Sequence, residues 1–185
     1  MSLYQRLSIL SNLNLPSSDY AIGNATAAVA HGLLDPKKRK IHDLDVYVSG
    51  RMFEKLAKQF KTIVRHTSEG NYSGAFPVIF PSETSEIEIF RSDIYPFNNY
   101  DLPGEKELLD SAVSHDFGAD IGFMPILSVD NLLTIKKKFD RPQDQSDLVE
   151  MLRILNNQAQ FYHTTSTHSG NIFTSNFLYL STYFR

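Results

Sequence analysis

The chain carries the run Lys40-Ile41-His42-Asp43-Leu44-Asp45-Val46-Tyr47-Val48-Ser49, and no other stretch restricts its fold as strongly. β-branched and aromatic residues dominate it, and its character alternates, which favours a strand. Strand side chains alternate between faces, so Asp43 and Asp45 project from the same face, one pleat apart. Two carboxylates that close repel each other, and one tends to hold a proton unless a cation sits between them. Oxygen ligands of this kind suit a hard divalent ion such as Mg²⁺. A strand end whose aspartates simply face water fits the same residues, so the flanking chain has to discriminate.

Upstream, apolar residues at Leu3, Leu7, Leu10 and Leu13 have helical spacing, and Pro16-Ser17-Ser18 breaks that helix. Tyr20-Ala21-Ile22 is a short apolar strand running into Gly23-Asn24-Ala25-Thr26, and alanine-rich Ala25 to His31 reads as a buried helix stopped near Gly32. A strand, a glycine turn and a helix start form a ready anion site, because free backbone N–H groups point at the turn. An ordinary helix with Asn24 as its N-cap fits equally. Lys37-Lys38-Arg39-Lys40 then leads into the aspartate strand, either as a solvated loop or as a basic segment able to meet phosphates.

Downstream, Gly50 ends the strand and Arg51 to Phe60 reads as a helix with Phe53, Leu56, Ala57 and Phe60 inward. Thr62 to His66, Ala75 to Phe80 and Glu86 to Phe90 read as strands. In the last of these, Ile87 and Ile89 share one face and Glu86 and Glu88 the other. Glu88, flanked on both sides by strand residues, is the carboxylate placed to join Asp43 and Asp45; Glu86, nearer the end, reads as solvated. Asp93 to Gly104 is loop-like, Glu105 to Val113 a modest helix, and Ile121 to Leu127 a short buried strand. Ser128 caps a helix with Val129, Leu132, Leu133 and Ile135 as its apolar set, closed by Lys136-Lys137-Lys138 at the negative end of the dipole. Phe139-Asp140-Arg141-Pro142 breaks the chain before a last helix from about Gln143 to Gln158. Beyond Phe161 a segment rich in Thr, Ser, Asn and aromatics has no clear period.

The 185 residues suit one domain, or one domain with a small appendage, and a hydrophobic content of 42% is enough for a real core. A formal charge of −3 supplies no global basic field for nucleic acid. The chain has no cysteine, which excludes disulfides, thiolate metal sites and a cysteine nucleophile. No apolar run approaches the roughly 20 residues of a membrane span, and no signal-peptide pattern opens the chain. A soluble, cytoplasmic protein that does not engage membranes is expected.

One ordered set of signals runs through these segments. Gly23-Asn24 opens a helix ending near His31-Gly32-Leu33, Arg39 precedes Asp43-Leu44-Asp45-Val46, and Ile87-Glu88-Ile89 follows. Then come Leu132-Leu133-Thr134-Ile135-Lys136 and Arg141-Pro142-Gln143-Asp144-Gln145-Ser146-Asp147-Leu148. The set resembles the nucleotidyltransferase superfamily of the DNA polymerase β type, and within it the AbiEii-like and minimal nucleotidyltransferase groups. It covers about residues 19–158. The resemblance implies an α/β (α+β) nucleotidyltransferase fold, a mixed β-sheet with helices packed on it and C-terminal helices. Residues 1–160 would form the domain and residues 161–185 a tail, packed or partly disordered.

The resemblance also implies roles. Asp43, Asp45 and Glu88 would be catalytic and would hold two Mg²⁺ ions, Gly23, Asn24 and Thr26 would border the triphosphate, and Arg39 and Lys136 would lie toward the nucleotide. Arg141, Asp144 and Asp147 match a segment that often only fixes the C-terminal helices. On that basis Gly23→Val is expected to weaken NTP binding sterically while leaving the fold largely intact. The chain departs from the family pattern in three places. Asn24 and Ala25 stand where a serine usually follows the glycine, Gln143 replaces a common lysine, and the third carboxylate is Glu88 rather than an aspartate. The implied activity is Mg²⁺-dependent transfer of a nucleoside monophosphate from an NTP to a hydroxyl on a protein, an RNA end or a small molecule. The alternative is a catalytically decayed nucleotide-binding or interaction protein of a toxin–antitoxin or phage-defence type.

Overall fold

The computed structural model describes residues 1–67, 74–81, 87–94 and 104–166. Helix α1 (Leu3–Asn12) starts at a reciprocal cap in which the Ser2 hydroxyl accepts from the Gln5 N–H and the Gln5 side chain accepts from the Ser2 N–H. Strand β1 (Tyr20–Ile22) and helix α2 (Asn24–Ala30) follow, with Gly23, not Asn24, at the N-cap. The aspartate strand is shorter than its composition suggests: β2 is Leu44–Val48, and residues 40–43 have no regular structure. Helix α3 (Gly50–Ala57) begins at once, because the Ser49 hydroxyl accepts from the Met52 N–H and so satisfies a first-turn donor.

Strands β3 (Lys61–Thr67), β4 (Gly74–Phe80) and β5 (Ile87–Arg91) come next, then α4 (Glu105–Asp110). Helix α4 stops at Asp110, and Val113 opens a strand the sequence did not announce, β6 (Val113–Asp116). It pairs antiparallel with β7 (Phe123–Ile126). Helix α5 (Val129–Phe139) is capped by Ser128, and α6 (Pro142–Ser166) runs further than the apolar spacing indicated. Glu86, most of the 93–104 loop and the tail from residue 167 lie outside the described residues. Met1–Met151 forms one unit and Leu152 opens a second. Among the described residues no helix is long and apolar enough to cross a membrane.

The strands form one mixed sheet in the order β3-β4-β5-β2-β1-β7-β6. Strand β2 lies at its middle, antiparallel to β1 and parallel to β5. This is the α+β architecture with a mixed sheet that the sequence implied. On one face the central register sets Ile22 beside Val46 and Leu44 and Val46 beside Ile87 and Ile89. All five side chains are fully buried. Burying an aliphatic side chain of this size stabilises a fold by about 1.5–3 kcal/mol, so this face can offset unfavourable charge on the other. The same register places Asp45 beside Glu88 and Tyr47 beside Phe90 on that other face.

Candidate metal centre

Asp45 is the second residue of β2 and Glu88 the second of β5, and the parallel ladder sets them side by side. Asp43 lies just before β2, exposed, on the irregular segment that enters the strand. One carboxylate oxygen from each of Asp43, Asp45 and Glu88 lies within 4.8 Å of the others. The chain folds this way because strand alternation sends both β2 and β5 carboxylates away from the aliphatic face, while strand parallelism fixes their register.

The electrostatics follow from that crowding. Asp45 is pushed up to about 7, first by burial and then by the charges of Asp43 and Glu88; a hydrogen bond from Asn24 and the positive charge of Arg141 act in the opposite direction. Burial acts first, the two neighbouring carboxylates raise the group further, and the Asn24 hydrogen bond and Arg141 do not offset them. Three oxygen donors, no nitrogen or sulfur among them, and a local excess of negative charge fit a hard divalent cation of the Mg²⁺ type.

Around this cluster the glycine turn is built on packing. The Gly23 N–H donates to the Asp45 carbonyl at 2.9 Å, holding the turn against β2. A Cβ at Gly23 would stand 2.3 Å from Tyr47 Cε2 and 2.8 Å from Cδ2. That ring is fully buried, stacks on Phe90 at a centroid distance of 5.5 Å, and its hydroxyl donates to Asn24 Oδ1 at 3.3 Å. It has no room to yield. Gly23→Val therefore damages the fold itself, contrary to the expectation that it would leave the fold intact. Asn24 adopts φ 49°, a left-handed conformation that asparagine tolerates better than most residues. Its side chain joins Tyr47 to Asp45, accepting from one and donating to the other. Thr26 is buried in α2, and its hydroxyl has no hydrogen-bond partner among the described residues.

The remaining residues singled out in the sequence meet in a second cluster. Lys136, only 3% exposed, donates to Asp147 at 2.7 Å and to Asp144 at 3.3 Å. Arg39 Nε pairs with Asp147 Oδ1 at 3.0 Å, Arg141 Nε with Asp144 Oδ2 at 2.6 Å, and Gln143 Nε2 donates to Asp147 Oδ1 at 3.0 Å. Two contributors were missed in the sequence. Tyr47 carried a signal, since it lies two residues after Asp45 on the same strand face. Arg6 carried another: position 6 falls on the stripe of Leu3, Leu7 and Leu10, and its side chain is buried and donates to the Ile41 carbonyl at 3.3 Å.

A mixed-sheet α+β unit with three carboxylates converging from two parallel strands and the segment before one of them is the class that fold and site define. Among solved structures, the chain is similar to a candidate nucleotidyltransferase from Thermotoga maritima at 14% identity and a TM-score of 0.45, over 84% of this chain and 91% of that one. It is also similar to an antigenic nucleotidyltransferase-like protein from Paracoccidioides brasiliensis at 17% identity and a TM-score of 0.41, over 81% of this chain and 75% of that one. No family model matches the chain, and no curated protein does.

Proposed function

We propose that the protein is a Mg²⁺-dependent nucleotidyltransferase that moves a nucleoside monophosphate from an NTP to a hydroxyl acceptor, releasing pyrophosphate. The observation that carries this reading is the convergence of Asp43, Asp45 and Glu88 to within 4.8 Å, with Asp45 pushed up to about 7. These three residues would hold the divalent ions, two of them in the family this sequence resembles. Bound there, such ions polarise phosphoryl oxygens and neutralise charge on the leaving group. The chain's own part is positioning, as befits a transfer that needs little covalent chemistry from protein. Asn24 holds the Asp45 carboxyl, Tyr47 holds Asn24, and Arg141 adds positive charge within range of Asp45. The acceptor would be a protein side chain, an RNA end or a small molecule.

A second reading rests on the same turn. The Asn24 amide is engaged by Asp45 and Tyr47, residue 25 is an alanine, and Lys136 lies between two aspartates. Three groups that the resemblance directs toward phosphate are thus otherwise occupied or lack a donor. This favours a decayed nucleotide-binding or interaction protein, as in a toxin–antitoxin or phage-defence pair. Incubation with each labelled NTP and Mg²⁺ separates the two, following label on the protein itself, on RNA and on small acceptors. Label transfer with pyrophosphate release carries the enzyme reading. Thermal stabilisation by NTP and Mg²⁺ with no transfer carries the second.

A further inference from the structure

We infer that Arg39 and Arg6 are positioning residues for Asp43, Arg39 acting through its ion pair with Asp147. The inference rests on the metal-centre reading of Asp43, Asp45 and Glu88. Of the three carboxylates, Asp45 and Glu88 are fixed by the β2–β5 ladder, but Asp43 is exposed and follows three residues without regular structure. A ligand set works when its oxygens are held to within about 0.5 Å, so another device has to place Asp43. Of the three carbonyls in that segment, those of Lys40 and Ile41 each accept from a guanidinium group. Arg39 Nη1 donates to the Lys40 carbonyl while Arg39 Nε binds Asp147 Oδ1 at 3.0 Å. Arg6 Nη1 donates to the Ile41 carbonyl at 3.3 Å from within α1.

The anchor at the far end is itself held. Asp147 is only 3% exposed and also accepts from Lys136 at 2.7 Å and Gln143 at 3.0 Å. A planar guanidinium can serve a carboxylate and a carbonyl at once, which a lysine ammonium does less well because its donors are not fixed in one plane. The buried cluster at the α5–α6 junction therefore reaches the segment before Asp43 through the Arg39 side chain. Arg39 touches no reacting atom in this assignment.

The test is Mn²⁺ binding to the full chain without nucleotide, read from the electron paramagnetic resonance signal of free Mn²⁺. Wild type, Arg39→Gln, Asp147→Asn and the double variant are compared, each checked for folding by thermal melting. Charge alone predicts that Arg39→Gln tightens cation binding, since a positive charge near the site is removed. Positioning predicts the opposite: weaker binding by about tenfold, the size typical of residues that orient metal ligands. Asp147→Asn should weaken it similarly, and the double variant should be no worse than the weaker single, because both act through one link. Arg39→Lys, a fold-conserving substitution, should restore the charge and less than half of the lost affinity. A folded Arg39→Gln that binds Mn²⁺ as tightly as wild type, or an Arg39→Lys at full affinity, overturns the positioning role and leaves the metal centre standing. A wild type that binds no Mn²⁺ overturns the metal centre and the positioning role together.

Discussion

What surrounds Asp45 determines what its removal does. Burial first, and then the charges of Asp43 and Glu88, raise its proton affinity, so the ionised carboxylate is a burden on the apo fold. Asp45→Asn keeps the shape and can still accept from Asn24, while its amide donates toward the two remaining carboxylates. The variant is expected to melt at the same or a higher temperature than wild type in metal-free buffer, and to gain less from Mg²⁺ with NTP, since ligand stabilisation follows RT ln(1 + [L]/Kd). A strand-end aspartate in plain water would shift stability by about 0.5 kcal/mol or less in both conditions. The pH dependence has a definite sign. Asp45 is raised from 3.8 to about 7, so between those values the folded state holds a proton that the unfolded state has lost. The contribution of this group to apo stability falls as pH rises through that window, by at most about 1.4 kcal/mol per pH unit, and levels off above it. Urea unfolding at pH 4.5, 6 and 7.5 reads the slope, and Asp45→Asn should flatten it. A wild-type profile with the same slope through the window as Asp45→Asn would remove the electrostatic account of the site.

At the scale of elements, the alternation of Glu86 to Phe90 was enough to place Glu88 on the face opposite Ile87 and Ile89; its place beside the aspartate strand was implied by the resemblance, and the ladder pairs it with Asp45. Alternation sets which face a residue takes, and that rule needs no tertiary information. Strand β6 was not legible for the complementary reason. Val-Ser-His-Asp at 113–116 buries almost nothing and holds its place by edge pairing to β7, which leaves no hydrophobic period to read. The junction of β1 and α2 was legible as a glycine turn, but not the reason for the glycine. That reason is the Tyr47 ring, which approaches from β2 and so is invisible in the local sequence. Gly23→Ala is accordingly expected to destabilise the protein by about 1–3 kcal/mol through overpacking, measured by urea unfolding in the absence of nucleotide. Adding Tyr47→Leu should recover part of that loss, because the smaller side chain clears the new methyl group. A Gly23→Ala protein as stable as wild type, with reduced NTP affinity, would return the glycine to a phosphate-binding role.

At the scale of the first unit, two of its charged clusters bear on the candidate site. Three carboxylates crowd at the β2–β5 ladder, while Lys136, Arg39 and Arg141 meet Asp144 and Asp147 where α5, α6 and the segment before Asp43 come together. The sequence showed both sets of residues, yet not how the second set is divided, because ion pairing between residues 39 and 147 depends on the completed fold. Lys136 is the decisive case: resemblance points it at a nucleotide, whereas its ammonium lies between two buried aspartates. Removing one partner from a buried ion pair typically costs about 3–5 kcal/mol, since the remaining charge is left uncompensated. Here Arg141 and Arg39 still attend Asp144 and Asp147, so Lys136→Met should cost about 3 kcal/mol, the lower end of that range. Pairing it with Asp144→Asn removes one charge of each sign and should recover a measurable part. Urea unfolding without nucleotide supplies both values. A side chain whose task was to meet phosphate would behave otherwise: Lys136→Met would leave the apo stability within about 0.5 kcal/mol of wild type while NTP affinity fell. That second pattern would mean the lysine leaves the aspartates when nucleotide arrives. Loss of stability in the apo protein would instead fix it as the charge that holds α5 to the start of α6.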